Sequence, residues 1–571
     1  MTDAAPEADT FTSLTPPDES DSTARARASD PCGLRPEDLA ADGPVTVETW
    51  LGAPALSFPR RPASVLAVLD RAVALRPDAP AVVDDTTVDV GDGPGGRGTT
   101  TTAALATAVE GCARALRRRG VGRGDAVAVA AGTSTDLLVL LLAVARVRAV
   151  LVGLQTSSSP TAWAYQLEHS GARLVVATPQ HVDACRRAGA ADVVDLRDLG
   201  RAPADAPGPA DGWEPPAEDE TFMLVYTSGT TGRPKASRVV HRASVHSGMA
   251  YQRLLGLREG ESTSVYFALT YISALHAHVL PALLGGARLV LVDGGPRDLL
   301  RALAEHEVGW AYAVPSVWRL LTRSPALTRE RLPRLERLAA GGAPFGPDLV
   351  AALRERLPGT RLHDVYGLSE THSPACVALD DDLEARPGSV GRPLPCLEAE
   401  VRDEAGRVLP AGEAGVLHLR GSLVTTGYAG PGGEAATAAA IRDGWFDTGD
   451  VVRADADGHL HVLDRVKDMV NRAGHKVFSA EVERVLREHP QVADCAVVGA
   501  PDRASGEVVV AFVVPEDPAA PPADADLRRH VREGLGEPAA PSRVHVVEDL
   551  PRTPNGKPDK KALRARLAPA A

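Results

Sequence analysis

The stretch Tyr226–Lys235, YTSGTTGRPK, follows an apolar segment and is the most informative part of the sequence. The apolar segment TFMLVY is typical of a buried strand. Gly229 and Gly232 permit backbone conformations in which successive N–H groups turn toward one point. Hydroxyl groups supply further donors, and Lys235 adds a positive charge. The order differs from the G-x-x-x-x-G-K-[ST] loop because Ala236 follows the lysine. The stretch therefore predicts a loop that binds a polyphosphate.

The regions around this loop alternate between two kinds of apolar pattern. Segments 103–120 and 136–149 have helical periodicity, whereas 125–132 and 173–178 are short apolar runs typical of buried strands. Alternation of this kind predicts a parallel sheet with helices on its faces.

Three other parts of the chain differ in composition. Residues 1–45 are rich in Ser, Thr, Pro, Asp and Ala, which predicts a disordered leader. The Gly-rich region around 415–421 predicts a barrel-like unit. The final hundred residues predict a separate small α+β unit, with helix 480–490 and strands 495–501 and 508–515.

Charge and cysteine content exclude several classes of protein. The 571 residues carry 62 basic and 75 acidic side chains, a net charge of −13, which argues against a nucleic-acid or anionic-membrane surface. The longest apolar run, 137–145, is too short for a membrane span. Six scattered cysteines indicate neither a disulfide framework nor a zinc site. With no secretory signal visible, we expect a cytoplasmic protein.

Lysine is scarce, since six of the 62 basic residues are lysines. A lysine in so arginine-rich a chain can mark a place that needs a compact ammonium group. Lys235 and Lys557 lie in Gly/Pro-containing loops and are interpreted in this way. For Lys560 and Lys561 the interpretation is chance.

Further segments follow the phosphate loop in a fixed order. They are GGAP (341–344), DVYGLSET (364–371), GSVGRPLP (388–395), GWFDTGD (444–450), DRVKDMVNRAGHKVFSAEVE (464–483) and PRTPNGKPDKKALR (551–564). With these landmarks the sequence resembles the adenylate-forming superfamily over about residues 46–565. This family includes acyl- and aryl-CoA ligases, luciferase-like enzymes and the adenylation domains of peptide synthetases.

The resemblance implies the fold class and the domain boundaries. We expect an α/β protein whose large N-terminal domain (46–464) combines α/β subdomains with a β-barrel-like subdomain. A hinge (465–467) would join it to a small, mobile α+β domain (468–571). The hinge residue would be Lys467, about which the small domain swings between two half-reactions.

The resemblance also implies roles for individual residues. Lys557 would bridge the carboxylate and the α-phosphate, Glu370 would hold Mg²⁺, and Tyr366 would stack on adenine. Asp364 would accept from the adenine amine, Ser369 would donate to the α-phosphate, Asp450 would bind the ribose, and Arg465 would reach ribose or phosphate. After the domain swing, Gly474 would reach the pantetheine tunnel. Lys235 is assigned a catalytic role together with Lys557. Further nucleotide contacts are implied for Thr227, Ser228, Gly229, Thr230, Thr231, Gly232, Gly341, Gly342, Ala343 and Gly367.

The acyl-pocket region departs from the family. FALTYISALH (267–276) has Ala268 and Tyr271 where many CoA ligases have Pro and a gating His, and it contains no Asp to pair with an α-ammonium group. Ser479 stands where Pro is common, and His372 stands where a small residue is frequent. The acyl pocket is assigned to Tyr271, Ser273, Gly341 and His372. An aryl or bulky non-amino acid is favoured.

These features predict an ATP- and Mg²⁺-dependent ligase that makes acyl-AMP and transfers the acyl group to coenzyme A. Several alternatives stay open. The acceptor could be the phosphopantetheine of a carrier protein, or the protein could perform one half-reaction alone. Some relatives divert the activated acid to other nucleophiles. An inactive nucleotide-binding regulator is the alternative from a different class.

Overall fold

The computed structural model describes residues 45–50, 53–86, 98–200, 213–227, 234–503, 505–553 and 557–567. Of the predicted leader, only Val45 belongs to these ranges. Residues 228–233 of the predicted phosphate loop also lie outside them. Within the described ranges, no helix has the length and apolar character needed to cross a bilayer.

The first α/β unit is a seven-stranded sheet. Its strands, in spatial order, are Tyr428–Ala429, Lys235–Val240, Thr221–Thr227, Val150–Gly153, Ala126–Ala130, Leu174–Ala177 and Val193–Asp195. The last five run parallel, and the first two are antiparallel additions. Its helices are Thr102–Arg118, Thr135–Arg146, Pro160–Ser170, Val182–Arg187 and Leu196–Gly200.

The predicted elements of this unit are confirmed with small shifts at their ends. The strand expected at 125–132 is Ala126–Ala130, and all five of its residues are buried. The helix expected at 136–149 ends at Arg146 because the chain adopts a left-handed conformation at Arg148, with φ 60°, before the next strand begins.

The second unit is a nine-stranded sheet. Its strands, in spatial order, are Arg392–Pro393, Cys376–Ala378, Arg361–Tyr366, Arg337–Gly341, Trp310–Ala313, Ser262–Val265, Arg288–Leu291, Pro80–Asp84 and Thr99–Thr101. The six strands from Arg361–Tyr366 to Pro80–Asp84 are parallel. The helices of this unit are Val65–Leu75, His241–Leu255, Ile272–Ala274, Leu280–Gly285, Pro296–Glu305, Pro315–Thr322, Pro347–Arg356 and Asp380–Ala385, and a π-helical turn spans Leu275–Val279.

The two sheets share one core. A single apolar cluster contains strand residues of both, such as Val127 and Leu289. The buried carboxylate of Asp84 also joins them, because its Oδ2 accepts hydrogen bonds from the backbone N–H and the hydroxyl of Thr135 at 2.7 and 2.9 Å. The large part of the chain is therefore packed as one body around both sheets.

An antiparallel sheet and a hairpin complete the large part. The sheet contains Leu397–Arg402, Ala414–Gly421, Trp445–Ala454, Ile441–Arg442 and Leu460–Arg465, and helix Gly433–Ala440 directly precedes strand Ile441–Arg442. This sheet is the Gly-rich region expected to differ from an α/β unit. The hairpin of Thr46–Trp50 and Ala53–Ser57 contacts it, because the Ser422 hydroxyl donates to Leu56 O.

The C-terminal part forms its own α+β unit. Its strands, in spatial order, are His475–Val477, Val470–Arg472, Gly506–Pro515 and Val492–Asp502, and Arg543–Val546 also pairs with Gly506–Pro515. Its helices are Ser479–Glu488, Asp524–Leu535 and Lys560–Leu567. Two apolar clusters lie wholly within residues 470–567. The mixed α/β architecture with a smaller C-terminal unit is confirmed.

Candidate active site

The predicted motif residues come together where neighbouring strands of the two α/β sheets end. Gly341 and Tyr366 close adjacent parallel strands, in which Gly341 is paired with Val365. A Cβ atom at Gly341 would lie 2.4 Å from Tyr312 Oη and 2.5 Å from Val365 O, so this position accepts no side chain. Gly342, with φ 80°, and Ala343 follow on the exposed turn.

The phosphate loop begins and ends at paired residues. Thr227 and Lys235 are directly opposite each other in antiparallel strands, so the two ends of the predicted loop lie close together. The predicted contacts Ser228, Gly229, Thr230, Thr231 and Gly232 lie outside the described residues. Lys235 Nζ lies 5.1 Å from the centroid of the Tyr428 ring, within the range of a cation–π contact.

Glu370 is buried and held by two hydroxyl groups. Its Oε1 accepts hydrogen bonds from Tyr428 Oη at 2.9 Å and from Thr227 Oγ1 at 3.3 Å. Among the described residues, no donor reaches Oε2. An anchored carboxylate with one available oxygen, beside a threonine hydroxyl, suits Mg²⁺, which prefers oxygen ligands. Glu370 and Thr227 therefore fit the metal role predicted for Glu370.

The second anionic centre is Asp450, which bridges two elements. Tyr366 Oη donates to Asp450 Oδ2 at 2.6 Å, and Arg465 Nε lies 2.8 Å from Asp450 Oδ1. Burial, and secondarily the charge of Asp450, hold the pKa of Tyr366 well above its usual value, so the phenol remains a donor. Each carboxylate oxygen already has one partner and keeps a second lone pair. A ribose hydroxyl could therefore donate to Asp450 only alongside Tyr366 or Arg465.

Asp364 lies two residues before Tyr366, on the same face of the strand Arg361–Tyr366. Burial holds the pKa of Asp364 well above its ordinary value. A protonated carboxyl group can donate as well as accept. The contact of Asp364 with the adenine amine thus stays a prediction. In that contact the carboxyl group could act as hydrogen-bond acceptor or, when protonated, as donor.

Three cations from the hinge and the C-terminal loop interact with the charge of Asp450: Arg465 pairs with it directly, and Lys467 and Lys557 lie within electrostatic range. Lys557 lies within electrostatic range of Arg465, Lys467 and Asp450. Solvent still reaches Lys557, but surrounding protein atoms lower its pKa, as do the charges of Arg465 and Lys467, while Asp450 acts in the opposite direction. The small C-terminal unit therefore presents Lys557 to the large part of the chain in this structure.

The residues assigned to the acyl pocket fall into two groups. Tyr271 is partly exposed at the start of the short helix that contains Ser273, and burial raises its pKa. His372 is fully buried, with Nδ1 2.7 Å from Leu423 O and Nε2 3.1 Å from Arg238 O. This geometry favours a role for His372 in fixing the turn that carries Glu370 over contact with an acyl group.

Other predicted residues lie at the edges of this site. Gly367 and Ser369 are partly exposed and flank Leu368 beside Glu370. Gly474 is exposed and has φ 86°, in the turn between two strands of the small unit. Its backbone N–H donates a hydrogen bond to Asn471 Oδ1. Its predicted contact with pantetheine belongs to another domain arrangement and stays a prediction.

Sequence reasoning missed Tyr428. Its strand pairs with Ser237 across the edge of the seven-stranded sheet, which places the tyrosine between Lys235 and Glu370. The segment TTGYAG (425–430) carries no charge or spacing that marks it as functional. Only the pairing of strand residues 191 positions apart, Ser237 and Tyr428, could reveal this contact.

The comparisons with known proteins agree with this site. The sequence matches the AMP-binding enzyme family over residues 69–429 and the AMP-binding enzyme C-terminal domain over residues 481–557. It is 33% identical over 425 residues to a feruloyl-CoA synthase from Amycolatopsis sp, covering 73% of this chain and 84% of that relative.

Two solved structures share the whole fold. One is O-succinylbenzoate coenzyme A synthetase from Bacillus subtilis in complex with ATP and magnesium ion, with a TM-score of 0.76 and 27% identity over 88% of this chain and 98% of that chain. The other is an amide bond synthetase from Marinactinospora thermotolerans, with a TM-score of 0.77 and 30% identity over 88% of this chain and 100% of that chain.

The fold and the site thus define an adenylate-forming enzyme. The chain belongs to the AMP-binding enzyme family, within its group of AMP-forming acyl-CoA synthetases.

Tyr428→Phe removes the hydroxyl donor to Glu370 and keeps the ring near Lys235. We expect the affinity for the divalent cation in the presence of nucleotide to fall by about tenfold, because a hydrogen bond to a charged group is lost. Calorimetric titration of Mn²⁺ with a non-cleavable ATP analogue measures this directly. Tyr165→Phe, which removes a hydroxyl that donates to Pro234 O, is the matched control. Equal cation affinity in wild type and Tyr428→Phe would contradict the role of the hydroxyl.

Proposed function

We propose that this enzyme activates an aryl or bulky non-amino carboxylic acid with ATP and transfers the acyl group to coenzyme A. The observation that carries the proposal is the convergence of Lys557, Lys467 and Arg465 on Asp450. In a chain with a net charge of −13, this group concentrates positive charge where two anionic reactants would meet.

The chemistry of the first step requires such a charge. A carboxylate oxygen attacks the α-phosphorus of ATP, the bond to the pyrophosphate oxygen breaks, and acyl-AMP forms. Lys557 would contact both the carboxylate and the α-phosphate, offsetting their repulsion as they approach. Donors placed in advance in this way contribute about 3–4 kcal/mol to the transition state.

The remaining residues would hold the nucleotide. Tyr366 and Asp364 would contact the adenine, Asp450 would contact the ribose, and Lys235 would contact the phosphates. Glu370 would hold Mg²⁺, which when bound neutralises phosphate charge. Ser369 would contact the α-phosphate. Further nucleotide contacts are proposed for Thr227, Ser228, Gly229, Thr230, Thr231, Gly232, Gly341, Gly342, Ala343 and Gly367.

The second step would use the same site after the small domain has turned. The thiol sulfur attacks the acyl carbonyl carbon, AMP leaves, and the thiol proton passes to solvent. The separate cores on the two sides of residues 465–467 support the proposed division into domains 46–464 and 468–571, with Lys467 as the hinge. The rotation would withdraw Lys557 and bring Gly474 toward the thiol.

Two observations support the proposed acid class. Phe267 and Tyr312 make an edge-to-face contact with centroids 4.9 Å apart, close to Gly341, so aromatic surface borders this part of the site. The relative named as a feruloyl-CoA synthase supports the same class.

An amine is the second candidate acceptor, because the likeness to the amide bond synthetase covers that entire chain. A screen of pyrophosphate release over aryl, polycyclic and alkyl acids, repeated with coenzyme A, amines and carrier proteins, distinguishes these acceptors. We expect release with aryl or polycyclic acids and a thioester with coenzyme A. Product formation only with an amine or a carrier protein would overturn the proposed acceptor.

Lys557→Ala is expected to slow acid-dependent pyrophosphate exchange by about 10²–10³-fold, because the cation between the two anions is lost. Transfer from synthetic acyl-AMP to coenzyme A should stay within about twofold of wild type, since this step does not use Lys557. Lys561→Ala, an exposed lysine of the following helix, is the control. Equal losses in both half-reactions would show that the assigned role is wrong.

The pH dependence of pyrophosphate exchange gives a separate prediction. Lys557 acts as an ammonium group, so the rate falls as the pH rises through its pKa, which is lowered from the usual value of 10.5. Lys467→Met removes one of the charges that lower this pKa, so the alkaline limb should move to higher pH. Lys476→Met, which loses an exposed ion pair with Glu404, should leave the limb in place. A limb that does not respond to Lys467→Met would refute this coupling.

A further inference from the structure

We propose that Asp464, Ser479 and Lys560 form a latch that holds the small domain in the orientation in which Lys557 faces Arg465 and Asp450. This inference rests on the proposed two-step function and its domain rotation. Ser479 and Lys560 would be positioning residues, since they act on the reaction through the placement of Lys557.

The latch is a continuous chain of hydrogen bonds. The Ser479 hydroxyl donates to Asp464 Oδ1 at 3.0 Å, and the Ser479 backbone N–H donates to Asp464 Oδ2. Lys560 Nζ donates to Ser479 Oγ at 2.8 Å. The Ser479 hydroxyl therefore accepts a hydrogen bond from Lys560 and donates one to Asp464. Its single proton and one of its two lone pairs are both used.

A second contact fixes Lys560 within the small domain. Its Nζ lies 2.7 Å from Glu483 Oε1, an oxygen that also accepts the backbone N–H of Val497 at 2.9 Å. Through Glu483, Lys560 thus ties the start of helix Lys560–Leu567 to helix Ser479–Glu488 and to strand Val492–Asp502. The interpretation of Lys560 as a chance lysine was wrong, because its ammonium group is largely buried between these partners.

The contacts between Ser479 and Asp464 cross the proposed hinge. Asp464 lies in the last strand of the large domain, next to Arg465, whereas Ser479 and Lys560 belong to the small domain. A rotation about Lys467 would move Ser479 without Asp464 and break both hydrogen bonds. Lys560 is three residues from Lys557, so the same chain of contacts positions the loop that presents Lys557.

Burial distinguishes this chain of hydrogen bonds from two exposed ion pairs between the domains. Asp464 and Ser479 are 5% and 0% exposed. Burial raises the pKa of Asp464, and the positive charge of Lys560 opposes that effect, so the ammonium group favours the charged carboxylate. The ion pairs Arg323–Glu516 and Lys476–Glu404 also join the two parts, but both are exposed, and such pairs contribute little.

Two substitutions remove the latch in steps. Ser479→Ala removes both hydroxyl contacts and keeps the N–H donor. Ser479→Pro removes the N–H donor as well, and proline suits this position because Ser479 is the first residue of its helix. Ser542→Ala is the control, because it lies in the same domain and its hydroxyl makes no hydrogen bond to another described residue.

The activity test compares the two half-reactions. We expect Ser479→Ala to slow pyrophosphate exchange about threefold and Ser479→Pro about tenfold, because weaker holding lowers the population of the competent orientation. Transfer from synthetic acyl-AMP to coenzyme A should be unchanged or faster. Equal slowing of both half-reactions by Ser479→Pro would overturn the latch.

A distance measurement tests the latch without catalysis. Spin labels at Leu320→Cys and Val546→Cys, both exposed in wild type, report the separation of the two domains in a Cys32→Ser background. We expect one dominant distance with Ser479 and a broader, longer distribution with Ser479→Pro. An unchanged distribution in Ser479→Pro would refute the latch even if Lys557→Ala behaves as predicted. Conversely, a shifted distribution in a protein that releases no pyrophosphate with any acid would support the latch and reject the proposed function.

Discussion

The arrangement of the candidate active site depends on the contacts of the Asp450 carboxylate. This carboxylate accepts the Tyr366 hydroxyl from the nine-stranded sheet and pairs with Arg465 at the end of the large domain. The charges of Arg465, Lys467 and Lys557 repel one another at this junction. Asp450 offsets part of that repulsion, so the positive charge can be concentrated at the junction of the two domains while retaining a net excess toward anionic reactants.

The same junction explains why a lysine, rather than an arginine, suits position 557 in so arginine-rich a chain. A guanidinium group presents a planar fork and stays charged at every working pH, whereas an ammonium group is compact and contacts two anions from one point. The loop of Lys557 is joined to the rest of the small domain by the short helix that follows it. The proposed rotation of that domain would therefore carry the charge of Lys557 into or out of the site together with the helix.

Much of the fold and part of the candidate site could be predicted from the sequence, because both depend on local patterns. Alternating apolar segments indicated the strands Ala126–Ala130 and Thr221–Thr227, and ordered motifs indicated Glu370 and Asp450. The contacts of Tyr428 with Glu370 and of Lys560 with Ser479 could not be predicted in this way. These contacts join residues that are 58 and 81 positions apart in the sequence. They depend on how strands pair and helices pack, which produces no periodic pattern in the sequence near either residue. His372 illustrates the same limit, since its position after the metal motif suggested an acyl contact, whereas its ring nitrogens lie against the carbonyl oxygens of Leu423 and of Arg238 in the strand Lys235–Val240.

The tight packing around Gly341 has a consequence for how this enzyme could change its substrate during evolution. Because any side chain there would collide with the Tyr312 hydroxyl and the Val365 carbonyl oxygen, that wall cannot be built up by single substitutions. Variation in the size of the accepted acid would have to come from other positions of the proposed pocket, such as Tyr271, which is partly open to solvent. Position 341 is thus restricted to glycine by its neighbours, and adaptation to new acids would fall to the other residues of the proposed pocket.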